Sequence, residues 1–125
     1  MTLSQSETTI NERSSFLYTG KVVDESGNPI AGSELDSLTL TLYNEADKAI
    51  INSRDDQDIL NANGVTVSAE GVLSWPASSA DNPIVGDVGI GLREHHIAQF
   101  EWTWGSGRRG SHLLNLYVTQ LHEVP

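Results

Sequence analysis

The stretch "IAQFEWTWGSGRRGSHLLNLYVT", residues 97–119, alternates in two runs around a glycine-rich turn. In the first run Ala98, Phe100, Trp102 and Trp104 alternate with Ile97, Gln99, Glu101 and Thr103. In the second, His112, Leu114, Leu116 and Val118 alternate with Leu113, Asn115, Tyr117 and Thr119. A period of two puts each set on one face of a strand, so an aromatic-bearing strand and an aliphatic one pair as a hairpin closed by "GSGRRG". Such cross-strand pairing marks the centre of a sheet, and it predicts that Trp102 and Trp104 are buried beside Phe100.

Outward from this hairpin the same period recurs in shorter pieces. Residues 16–23 form a strand that enters the turn "DESGNPIAGS", where Gly27, Asn28, Pro29 and Gly32 supply turn conformations. Leu38, Leu40 and Leu42 alternate with Thr39, Thr41 and Tyr43, which gives one buried and one β-branched or aromatic face. Residues 49–52 read as a short third strand. Residues 65–67 and 72–75 read as a hairpin around "SAEG", with Gly71 suited to the turn. Pro76, Pro83, Gly86, Gly89 and Gly91 break the rhythm over 77–91, which reads as a long crossover loop with one helical turn near Ser79. About seven strands, no helical periodicity and no internal repeat predict an all-β protein, an immunoglobulin-like antiparallel β-sandwich.

At 125 residues the chain has the length of one domain. Residues 1–15 are rich in Ser and Thr and read as an extended N-terminal arm that a partner holds in order; residues 16–125 read as the sandwich. The 17 acidic residues against 7 basic ones give a formal charge of -10, which argues against nucleic acid and anionic membrane as partners. With no cysteine, disulfides, thiolate catalysis and Cys-ligated metals are excluded. No apolar run approaches the ~20 residues of a membrane span. The opening lacks a basic region followed by an apolar one, so the expectation is synthesis in the cytoplasm.

Two segments invite a chemical reading. In "INSRDDQDIL", Asp55, Asp56 and Asp58 could offer oxygen ligands to calcium, but the EF-hand spacing is missing and Arg54 would oppose a cation. A loop is the preferred reading, with one Asp capping a short helical turn through Ile59 and Leu60 and "NANG" reversing the chain. His95 and His96 point to opposite faces of a strand, while His96 and His112 could approach across the hairpin; packing at the sheet's end is preferred to a two-histidine metal site. No serine stands in G-x-S-x-G, and no glycine-rich loop could cradle phosphate, so no catalytic residue and no cofactor are expected. Arg108 and Arg109, a basic pair at a hairpin tip, could dock an acidic surface or keep the turn soluble.

The segment "TGKVVDESGNPIAG" resembles the strand and D-x-x-G-x-P-[IL] turn of small carboxypeptidase-regulatory-like and other bacterial immunoglobulin-like domains, a resemblance that speaks to fold alone. "LTLYNEADKAIINSRDDQDILNANGVTVSAEGVLSW", "REHHIAQFEWTW" and "LYVTQL" together resemble a family of small immunoglobulin-like proteins encoded in tailed-phage structural gene clusters, over residues 16–121. The resemblance implies a non-enzymatic virion component made in the host cytoplasm. The expected partners are other virion proteins, namely major capsid, neck or tail proteins, engaged by many symmetric copies. A head decoration or head-tail accessory subunit is the leading expectation; the alternatives are a tail or baseplate component and a carbohydrate-binding adhesion module. The partner-contacting residues expected on this reading are Thr8, Thr9, Ile10, Asn11 and Arg13 in the arm, Arg54, Asp55 and Asp56 in the acidic loop, and Arg108 and Arg109 at the tip.

Overall fold

The computed structural model describes residues 5–122. Eight strands run in chain order as β1 (Gln5–Asn11), β2 (Phe16–Lys21), β3 (Leu35–Asn44), β4 (Gln57–Asp58), β5 (Thr66–Val67), β6 (Val72–Ala77), β7 (Arg93–Trp104) and β8 (Arg108–Thr119). They form two sheets, one ordered β1-β8-β7-β3-β4 and one ordered β2-β6-β5. In the lettering of the immunoglobulin fold, β2, β6 and β5 are strands B, E and D, and β3, β7 and β8 are C, F and G, with β4 as a short C′. The fold is therefore the expected all-β sandwich. Among the described residues no helix is long and apolar enough to cross a membrane.

The long hairpin sits at the centre of the large sheet as the alternation requires. Phe100 lies opposite His112, and Trp102 opposite Gly110. The glycine is needed there, because a Cβ at position 110 would overlap the Trp102 indole. Leu38, Leu40, Leu42, Trp75, Phe100, Leu114 and Leu116 form the floor of the core, and Trp102 and Trp104 are buried with them. Trp75 meets Phe16 and Phe100 edge-on at centroid distances of 5.7 and 5.8 Å. Tyr18 stacks on Phe100 at 5.5 Å and so closes one open side between the sheets.

Three local expectations are corrected. Residues 49–52 make a single bridge, Tyr43 to Ile50, and no strand, because Asn52 and Ser53 take left-handed φ values of 53° and 56°. No helical turn follows Asp58: its Oδ1 accepts the Leu60 amide in a side-chain turn, and Asn61 and Asn63 are left-handed. His96 lies opposite Leu116 and His112 opposite Phe100, so the two histidines are four positions out of register. The helical turn expected near Ser79 is a 3-10 turn over Ser79–Asp81.

The largest correction concerns the arm. Residues 5–11 do not extend from the domain; they form edge strand β1, paired in parallel with β8 from Gln5–Leu113 to Asn11–Thr119. The sandwich is thus antiparallel except at this edge. The whole domain separates β1 from β8 in sequence, so no hairpin constrains their direction. Side chains fix the pairing. Asn115 Nδ2 donates to the Ser6 carbonyl at 3.2 Å, and Glu12 Oε1 accepts the amides of Leu121 and His122 at 2.6 and 2.7 Å. Residues 1–4 of the expected arm and 123–125 of the expected domain lie outside the described residues.

Candidate interaction surface

With Leu38, Leu40, Leu42, Phe100, Leu114 and Leu116 pointing inward, the alternate residues of the same strands face outward, on a side over which no further strand or helix is layered among the described residues. It is mainly hydroxyl, amide and aromatic, with Thr39, Thr41 and Tyr43 on β3, His95, Gln99, Glu101 and Thr103 on β7, and Leu113, Asn115 and Tyr117 on β8, while Ile97 on the same side is buried among its neighbours. Tyr117 is held rigid on two sides. The His95 ring stacks on it at 4.8 Å, the Arg93 guanidinium sits 5.7 Å from its centre, and His95 Nε2 is 2.8 Å from Asn115 Oδ1. Preordered tyrosines among threonine, asparagine and glutamine are the chemistry of protein-binding faces, since little side-chain entropy remains to be lost.

Open grooves border this face. One, beside β1, is lined by Glu7, Thr8, Thr9, Leu92, Arg93 and Tyr117. Another, at the far side, is lined by Thr39, Thr41, Asp56, Glu101, Thr103 and Arg109. The structure therefore brings two expected contact residues, Asp56 and Arg109, to one groove. Asp55 is exposed beside them in sequence, Thr9 and Asn11 are exposed on β1, and Thr8 and Ile10 are half-buried on its inner side. Arg13 is exposed, with a left-handed φ of 58° and its amide on the Asn82 carbonyl at 2.7 Å. Arg108 is partly spent within the domain, at 2.8 Å from Glu25 and 5.8 Å from the Trp104 ring centre.

Arg54 is corrected outright. It is buried, not a surface contact. Its Nε and Nη2 donate to the two oxygens of Asp81 at 2.6 and 3.2 Å, its Nη1 donates to Gln57 at 2.6 Å, and its plane lies 5.6 Å from the Trp75 ring centre. Asn52 and the Ser78 amide also donate to Asp81. Burial pushes the Asp81 pKa up, but these donors and the Arg54 charge outweigh it and hold the carboxyl below its ordinary value.

The loop between β6 and β7 was expected from the sequence, but the side chains that hold it were not. Glu94 accepts the amides of Val85 and Gly86 at 2.7 Å each, and Gln120 Oε1 accepts those of Val88 and Gly89 at 3.0 Å each. This buried pair of acceptors fixes a glycine-rich loop that exposes Val85, Ile90 and Leu92. Apolar residues interleaved with glycine in "VGDVGIGL" were the available signal. Glu94 Oε1 also meets His96 Nε2 at 2.5 Å. Burial depresses the His96 pKa, and the neighbouring Glu94 opposes that shift only in part. Among the described residues no group of three His, Asp or Glu is placed to share a metal ion. Trp75, Trp102 and Trp104, the rings a carbohydrate platform would need, are all buried.

Comparison with protein-family models, with curated proteins and with solved structures finds no match to this chain.

Proposed function

We propose that this chain is a non-enzymatic structural subunit that binds other proteins through the outer face of its large sheet. The resemblance of residues 16–121 to a tailed-phage structural family makes a virion the assembly in question, with head decoration or the head-tail neck as the position. The observation that carries the reading is the division of labour between polar groups. The buried ionisable groups are committed to the fold: Arg54 to Asp81, Glu94 to His96 and loop amides, and Glu12 to the end of β8. A second set of polar and aromatic side chains, in which His95 pairs with Asn115, Gln99 with Glu101 and Tyr117 stacks on His95, is half-buried on one broad sheet face instead of in a cleft.

The reading is tested by counting copies of the chain in purified phage particles, by mass spectrometry against the major capsid protein. A ratio near one per capsid subunit, or per few, assigns it to head decoration. About six to twelve copies per particle assign it to a neck or tail ring, as cyclic closure requires. Absence from the particle overturns the proposal.

A further inference from the structure

We propose that two copies of this chain join edge to edge through β1, antiparallel about a two-fold axis at Thr8, and so merge their large sheets into one. β1 ends the order β1-β8-β7-β3-β4, and among the described residues its far side pairs with no other strand. It is the longest such edge among the described residues, at 7 residues against 6 for β2 and 2 each for β4 and β5. An unpaired edge is a template for another strand, and proteins that avoid this place lysine, proline or a bulge there. β1, "QSETTIN", has none of these, and Glu7 is its one charged residue.

The occupant is chosen by register. An antiparallel pair centred on Thr8 opposes all 7 residues of β1: Gln5 faces Asn11, Ser6 faces Ile10 and Glu7 faces Thr9 of the other copy. A slip of two residues in one direction sets Glu7 against Glu7, and a slip in either direction shortens the overlap. In the centred register each Glu7 arrives beside a Thr9 that already holds an arginine, since Arg93 Nη1 lies 3.5 Å from Thr9 Oγ1. Glu7, Thr9 and Arg93 line one groove. Neither Glu7 nor Arg93 forms an ion pair within the described residues of its own chain. The two-fold axis therefore yields two identical Glu7–Arg93 pairs, the self-complementarity an isologous interface requires. Leu92, which is 60 % exposed and lines the same groove, is covered by the incoming strand. The -10 charge of each chain opposes association at long range, but it is screened beyond about 8 Å in physiological salt, whereas the edge contact is local.

Sedimentation equilibrium on the full chain tests this, with the fold of every variant checked by circular dichroism. The wild type is expected to be a dimer, Glu7→Arg and Arg93→Glu each to weaken it ~10-fold or more, and the Glu7→Arg, Arg93→Glu double variant to regain it. A chain that stays monomeric up to about 0.1 mM overturns the proposal. So does a dimer indifferent to both single changes, or a double variant no better than the singles.

Discussion

Arg54 and Asp81, 27 positions apart in sequence, meet in a two-pronged ion pair that ties the loop following β3 to the turn following β6. The pair thus rivets the large sheet to the small one along one side of the sandwich, and the Arg54 guanidinium also lies against Trp75. Removing one partner leaves the other charge buried and unpaired. Asp81→Ala and Arg54→Met are each expected to cost ~3–5 kcal/mol in urea denaturation. The double variant is expected to cost less than the sum, with a coupling of ~1–3 kcal/mol; additivity would contradict the pairing.

Glu94 and Gln120 hold four amides of the loop that leads into β7. Gln120→Ala should speed hydrogen exchange at Val88 and Gly89, while Glu94→Ala should do so at Val85 and Gly86, each at ~1–3 kcal/mol of stability. Unchanged exchange at these amides would show that the loop is held by something else.

Stability is expected to fall with acid in two stages. Burial keeps the His96 and His112 rings neutral, with pKa values below the ordinary 6.5, so below that pH the unfolded chain binds more protons than the folded one. Stability therefore declines as pH drops from 6.5 toward the folded values. Asp81 and Asp24 are depressed below 3.8 and Glu12 below 4.5; their contribution is complete above those values and is lost as pH falls through the folded ones. Denaturation midpoints across the pH range should show both declines. The His96→Gln, His112→Gln double variant should lose the first and keep the second.

The acidic loop gives a prediction of indifference to calcium. Asp58 is engaged with the Leu60 amide, Asp56 is drawn to the large sheet by its own amide on Thr41 Oγ1 at 2.9 Å, and Arg54 lies beneath, bound to Asp81. Melting temperature should be the same in chelator and in millimolar calcium; a calcium-dependent rise of several degrees would revive a metal site here.

What could be read in the sequence followed the strength of local alternation. The hairpin of β7 and β8, the leucines of β3 and the β5-β6 turn each carry their own period-two pattern, so each was legible. β1 was not, because "QSETTIN" has one apolar side chain and gains its strand conformation from β8 at the other end of the chain, with Glu12 next to it clasping the Leu121 and His122 amides. Arg54 was misread for a similar reason. Nothing near "SRDDQD" announces that its partner is Asp81 in a serine-rich turn beyond β6. "AIIN" looked like a strand because left-handed Asn52 and Ser53 carry no signature beyond residue type. The proposed contact face was legible only as the polar half of alternating strands.

The most direct test of the outer sheet face as the binding surface is hydroxyl-radical footprinting of the chain, free and in purified particles. Tyr43, His95 and Tyr117 are expected to lose reactivity in the particles while Leu17, 64 % exposed on the small sheet, stays reactive. Protection at Leu17 with the three rings unchanged, or a chain absent from the particles, would contradict it.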